Sequence, residues 1–209
     1  MPEEITLATF SGTPSLALHG KRFTRTFAPR PDYPSNRRAT LTGQYPQREA
    51  LTTISAIFSN AGWHTTEGLD TEGPTFRLLE EPDSLPDSGV IAVATGLATG
   101  DCELYIYWPG VAEDGESAEL VSPLDLAPTL AAIAGLDVRP NAALSFDGLN
   151  LVPVLRYGAD GHAALFFDNG IRTQDAWLID GHCSHPDKHK ALEDEWQLWK
   201  QFMGYGPLQ

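Results

Sequence analysis

The run GVIAVA, residues 89–94, carries no polar side chain. A strand with water on one face alternates apolar and polar residues, whereas an unbroken apolar run between turn residues belongs to a buried central strand. Such strands are typical of parallel sheets, which need covering helices. Residues 5–10 (ITLATF) alternate and are rich in β-branched side chains, so they read as a strand. Residues 23–27 are a second short strand, and residues 103–108 (ELYIYW), closed by Pro109-Gly110, a third.

Helical patterns alternate with these strands. Residues 35–42 form a short helix: Pro34 disfavours helix at Tyr33, Ser35 is a good N-cap and Gly43 a good stop. Ile54, Ile57, Phe58 and Ala61 share one helix face, ended by Gly62. Asp125 can cap a helix with the face Leu126, Leu130, Ile133 and Ala134, with Pro128 harmless in its first turn and Gly135 at its end. Residues 150–157 read as a short helix, and residues 163–167 and 176–179 as a late strand pair. Leu192, Trp196, Trp199 and Met203 make one apolar stripe, which reads as a helix docked on the domain rather than a partner surface. The alternation predicts an α/β fold with a mostly parallel central sheet flanked by helices. We expect one domain over residues 1–209, in which residues 69–88, rich in Gly, Pro, Asp and Glu, form a surface loop between residues 1–68 and 89–209.

The 209 residues, 42% of them hydrophobic, suffice for a sizeable core. No apolar run approaches the roughly 18 to 20 residues of a membrane span. The start, MPEEITLATF, lacks a basic n-region and an apolar h-region, so a cytoplasmic location is expected, although a trimmed secreted chain would read the same. Fourteen Lys and Arg face 28 Asp and Glu, a net charge of −14. Such a surface repels nucleic acid and anionic membranes. It also slows a sulfated or phosphorylated substrate, unless a local basic patch offsets it; Arg37 and Arg38 are the best candidates. Cys102 and Cys183 make no disulfide framework and are expected as free thiols in a reducing compartment.

Five segments, in order, resemble the sulfatases of the alkaline phosphatase superfamily. TPSL (13–16) with HGKRFTRTFA (19–28) is similar to the segment leading to the nucleophile, and PSNRRATLTGQYPQR (34–48) to the signature that carries it. TISAIFSNAGWHT (53–65) resembles the following helix and strand. ELYIYWPG (103–110), LVSPLDLAPTLAAIAGL (120–136) and FDGLNLVPVL (146–155) resemble a later block, and ALFFDNGIRTQDAWLIDG (164–181) the C-terminal strands. The family is usually much longer, so this resemblance implies a shortened domain.

The resemblance implies a chemistry whose residues are missing. Sulfatases convert a Cys or Ser in a Cys/Ser-x-Pro-x-Arg pattern to formylglycine, which attacks sulfur beside a divalent cation held by carboxylates. Aligned on Pro34, the nucleophile position is Asp32 and the arginine position Asn36. Aligned on Thr42-Gly43, they become Tyr33 and Arg37. Neither alignment supplies Cys or Ser. The expected metal ligands would lie near Thr9, Phe10 and Ser11 and near Thr95, Gly96 and Leu97, where no carboxylate stands. The family's Lys-Trp-His segment corresponds to GLDTEG, residues 68–73, without its Lys or His. Asp168-Asn169-Gly170 imitates a metal motif but lies past its place and reads as a hairpin turn.

Other residues carry two readings each. Arg37 and Arg38 either hold an anion at a helix N-terminus or pair with surface acids. Ser35 is either the N-cap or a hydroxyl nucleophile, and Tyr33 either packs on Pro34 or meets a ligand. His182, Cys183, His185, Asp187 and His189 are metal-donor types within eight residues, but their spacing fits no closed zinc motif, so a solvated loop is the default. His19 and His64 are isolated.

Loss of nucleophile and ligands together points to a sulfatase-like binding, regulatory or assembly subunit, with a homo-oligomer or partner protein replacing lost cover on the sheet. The alternatives are an active ester hydrolase using Asp32 or Ser35 with Arg37, Arg38 and a divalent cation, or a metal-binding interaction module built on residues 182–189.

Overall fold

The computed structural model describes residues 2–49, 52–66, 73–137, 139 and 145–204. Strand β1 (Glu4–Thr9) runs through the middle of a seven-stranded sheet. After β2 (Lys21–Phe27) come helices α1 (Tyr33–Thr42) and α2 (Ile54–Asn60), then strands β3 (His64–Thr66), β4 (Thr75–Glu80), β5 (Val90–Thr95), β6 (Asp101–Tyr107) and β7 (Glu116–Val121). The sheet order is β3-β4-β1-β5-β6-β2-β7. β1 pairs in parallel with both β4 and β5, β3 with β4, and β2 with β7; β6 alone runs antiparallel to its two neighbours. The expected mostly parallel sheet is thus present, and every residue of β5, the GVIAVA strand, is buried.

Helices α1 and α2, with α3 (Leu126–Ile133) and α4 (Val152–Tyr157), cover one face of this sheet. Ile5, Leu7, Phe23, Ala92, Leu104 and Ile106 point into them, and Phe58 stacks on Phe76 at 4.4 Å between ring centres. The opposite face has a separate apolar cluster of Ala8, Phe10, Leu79, Ile91 and Val93, covered by Leu16, Leu18 and Leu85 from loops. No described helix joins that cluster.

A second, antiparallel sheet follows, built from β8 (Ala164–Phe167), β9 (Gly170–Thr173), β10 (Trp177–Ile179) and β11 (His182–Cys183), with α5 (His189–Phe202) packed on β9 and β10. The expected late strand pair is therefore two non-adjacent strands, with β9 between them. Asp168-Asn169 forms the two-residue turn from β8 to β9, as its hairpin reading requires. Leu192 and Trp199 are the buried residues of α5, while Trp196 packs partly buried beside them.

Three further expectations are corrected, and one strand has no counterpart among them. Residues 75–80 (TFRLLE) are not loop but β4, next to β1, with Thr75, Phe76, Arg77 and Leu79 buried. A buried Arg in the middle of this strand breaks the apolar signal; its guanidinium pairs with Glu4 at 3.1 Å. β7 (ESAELV) also escapes notice, because only its last two residues are buried. Ala61 is exposed and follows α2 rather than extending its buried face. Asp125 does not cap α3 from outside, since its backbone is already helical and a short 3-10 turn over residues 123–125 precedes the helix. Its wholly buried carboxylate instead accepts from Ser122 N–H (2.8 Å), Leu149 N–H (2.7 Å) and the His162 ring (2.6 Å). One carboxylate thereby ties β7, α3 and the segment after residue 145 together.

Candidate functional site

Helix α1 brings the signature to the sheet. Its N-cap is Asp32, whose Oδ1 accepts from Ser35 N–H at 2.9 Å. This corrects the assignment of Ser35 as cap. Pro34 lies in the first turn, where its missing N–H leaves no bond unmade, so Tyr33 is helical despite preceding proline. At the other end Gly43 is left-handed (φ 65°), and a Cβ there would fall 2.5 Å from the Phe146 ring. The chain then turns to Tyr45, Arg48 and Asp147. Arg48 holds Asp147 through two bonds of 2.8 and 2.7 Å, and Tyr45 N–H donates to the same carboxylate.

Asn36 is completely buried. Its amide nitrogen donates to Leu97 O at 2.7 Å and to Arg30 O, and its oxygen accepts from Arg30 N–H at 3.0 Å. It is a neutral clamp between α1, the end of β5 and the loop after β2. The helix runs from residue 33 to 42 without interruption, so counting back from Gly43 places Tyr33 and Arg37 one turn apart on the same face.

That face looks at the carboxyl ends of β1 and β4. The Tyr33 hydroxyl lies 3.4 Å from Thr9 Oγ1 and donates to Glu80 Oε1 at 2.8 Å. Arg37 pairs with the other oxygen, Glu80 Oε2, at 3.1 Å. The next residue, Glu81, accepts Ser11 N–H at 2.6 Å. Carboxylates therefore do approach the end of β1, but from β4. Glu80 was missed because its segment read as loop; the run FRLL between Gly73-Pro74 and Pro82 was the available signal. Tyr33, Pro34, Arg37, Arg38, Leu41, Thr42, Thr53 and Glu80 line an open cavity of about 400 Å³.

Burial pushes the Tyr33 phenol above its ordinary ionisation range, and the Glu80 carboxylate reinforces this. At neutral pH the residue in the nucleophile position of the second alignment is thus a protonated phenol. Arg38 turns away and donates to Arg48 O at 2.6 Å. The acids here do not suit a divalent cation: Glu80 is held by Tyr33 and Arg37, Glu81 by a backbone N–H. Among the described residues no three His, Cys, Asp or Glu side chains are placed to hold a metal.

This includes the 182–189 segment. His182 and Cys183 alternate along β11, Cys183 Sγ bonds His185 O, the His185 ring meets Ser184 Oγ at 3.0 Å, and His189 lies 3.8 Å from Glu193 on α5. Their donors diverge. Asp168 pairs with Arg30 at 3.1 Å and accepts from Gln47. Neither Cys102 nor Cys183 forms a disulfide. Residues 68–72 of the GLDTEG segment lie outside the described residues.

No protein-family model matches the chain. A stretch of 62 residues is 47% identical to arylsulfatase A of Homo sapiens, and as much to that of Bos taurus; it is 29% of this chain and 12% of each of those proteins. The chain therefore matches only about an eighth of these relatives' length. Among solved structures, Ps i-CgsB superposes with a TM-score of 0.73 at 13% identity, covering 97% of this chain and 92% of the other. BT4656, solved with its substrate D-glucosamine-2-N,6-O-disulfate, gives 0.74 at 11%, with 99% of both chains covered. The PsFucS1 sulfatase from Pseudoalteromonas sp. gives 0.67 at 10%, covering 85% and 78%.

This chain has the sulfatase fold.

At 10–13% identity this likeness shows the architecture alone. Among the described residues no helix is long and apolar enough to cross a membrane.

The Tyr33 phenol offers a pH test. Its folded pKa lies above the ordinary 10.0, so its contribution to stability is complete below pH 10 and is lost as pH rises through the folded value. Tyr33→Phe removes one late-ionising phenol. Wild type is expected to lose more stability than the variant above pH 10 in denaturant titrations. Equal losses would show that Tyr33 ionises normally.

Proposed function

We propose that this chain is a sulfatase-fold protein without sulfate-ester hydrolysis, serving as a binding, regulatory or assembly subunit. The observation that carries the reading is the Tyr33–Glu80–Arg37 lock. A sulfatase site needs an activated nucleophile, a cation and free basic groups to take up the oxyanion charge. Here the first helical position holds a protonated phenol. The arginine one turn on is neutralised by a carboxylate. An anion in the cavity would meet the Glu80 carboxylate together with Arg37, so the pair offers it no net positive charge. The rival reading, an active hydrolase using Ser35 or Asp32, asks Arg37 to leave Glu80 and, in its Asp32 form, asks that residue to leave its capping role.

A partner-binding role has its own support. The sheet face opposite α1–α4 carries the Arg22, Glu103 and Glu116 ion pairs in partial exposure, and its apolar cluster is covered by loops. A cavity of about 520 Å³ opens there over Ile91, Val93 and Tyr107. A second chain could cover this face, and assembly into a dimer or larger complex follows from the proposal.

Two measurements test it. Purified protein given aryl sulfates or aryl phosphates with magnesium, calcium or zinc should release product no faster than buffer; saturable, chelator-sensitive turnover would contradict the loss of hydrolysis. Sedimentation over a wide concentration range should show self-association, or co-sedimentation with a partner chain. A monomer at every concentration, with no partner retained, would remove the assembly role.

A further inference from the structure

In a protein with twice as many acids as bases, most arginines have an acid. Arg22, Arg30, Arg37, Arg48, Arg77 and Arg139 all pair with carboxylates. Arg25, Arg38, Arg156 and Arg172 make no ion pair among the described residues, and of these four only Arg172 has its Nε buried without a hydrogen-bond partner. Its side chain leaves β9 on the face opposite α5, where the two sheets meet. The guanidinium lies 4.2 Å from the centre of the Phe27 ring on β2 and 5.9 Å from that of Trp177 on β10. Two aromatic rings from different sheets therefore lie within cation–π reach of it, and no side-chain hydrogen bond from it is seen among the described residues.

A second arginine adds to this charge. Arg25 reaches the same junction from β2 and donates to Gln174 Oε1 at 2.7 Å and Gln174 O at 2.6 Å, both neutral acceptors. It too has no carboxylate within ion-pair distance among the described residues. Burial, and secondarily the Arg25 charge, disfavour the Arg172 cation. Three acids on adjoining segments have other partners: Asp168 pairs with Arg30, Asp175 with Lys188, and Glu119 accepts from the neutral Gln174 side chain and Gly161 N–H.

We infer that the junction of the two sheets is an oxyanion seat, in which the Arg172 fork binds a dianion such as sulfate, phosphate or a phosphate monoester, and Arg25 supplies the second balancing charge. The planar guanidinium matches the edge of a tetrahedral oxyanion through two parallel N–H groups. A dianion balances two guanidinium charges, which a carboxylate cannot. This seat is separate from the Arg37 cavity and does not depend on whether the chain hydrolyses esters.

The test follows the arginine Nε–Hε resonance of Arg172 by NMR in the full chain, with sodium sulfate, sodium phosphate, glycerol phosphate and acetate titrated at constant ionic strength. Sulfate or phosphate should move the resonance saturably and acetate much less. Glycerol phosphate matching phosphate would assign the seat to esters as well as free ions; its failure to bind would restrict the seat to the free ions. In calorimetry, Arg172→Gln should weaken binding about tenfold or more, Arg25→Gln severalfold, and Arg139→Gln not at all. If Arg172→Gln fails to fold, Arg172→Lys, which keeps the charge but not the fork, should still weaken binding. An Arg172 resonance unmoved by sulfate and phosphate, or moved equally by acetate, overturns the inference. So does binding that is lost on Arg37→Gln and retained in Arg172→Gln.

Discussion

Strand β1 is hydrogen-bonded in parallel to β4 on one edge and to β5 on the other, with its side chains buried on both faces. Three strands locked in this way end on the same side of the sheet, so Thr9, Glu80 and Thr95 share one rim. Ligand sites of open α/β sheets form at that rim, because chain direction and the return crossovers leave a crevice there. Helix α1 is pinned to it by Asn36, whose buried amide spans the end of β5 and the loop after β2. With the helix fixed, Tyr33 and Arg37 must face whatever side chain β4 offers, and β4 offers Glu80.

This dependence explains what could be read in the sequence. GVIAVA announced β5 because a strand buried on both faces needs no polar residue. The Gly43 stop of α1, the α3 face and the Leu192–Trp199 stripe were equally legible, since each is a local pattern. β4 was hidden because its partner interactions are not local: Arg77, buried in the core, pairs with Glu4, 73 residues away. Glu80 was hidden with it, and with Glu80 the carboxylate that Tyr33 and Arg37 both meet. The cap of α1 was misassigned by three residues because Pro34 both discourages helix before it and suits a first helical turn, and tertiary packing chose the second.

Charge is distributed with the same economy. The acidic excess lets six of the ten arginines find a carboxylate among the described residues, so an arginine at a signature position need not be an anion receptor. Arg37 shows this directly. Arg172, clamped by aromatic rings and without an acid, is the more informative cation, although its segment has no motif to draw attention to it.

The lock at Tyr33, Glu80 and Arg37 is the central physical claim, and a double-mutant cycle measures it. Unfolding free energies would be determined for wild type, Tyr33→Phe, Glu80→Gln and the double variant. With the phenol donating to an ionised, partly exposed carboxylate, we expect a coupling of about 1 kcal/mol. Effects that add to within about 0.3 kcal/mol would mean that Glu80 does not hold Tyr33, and that the site is open.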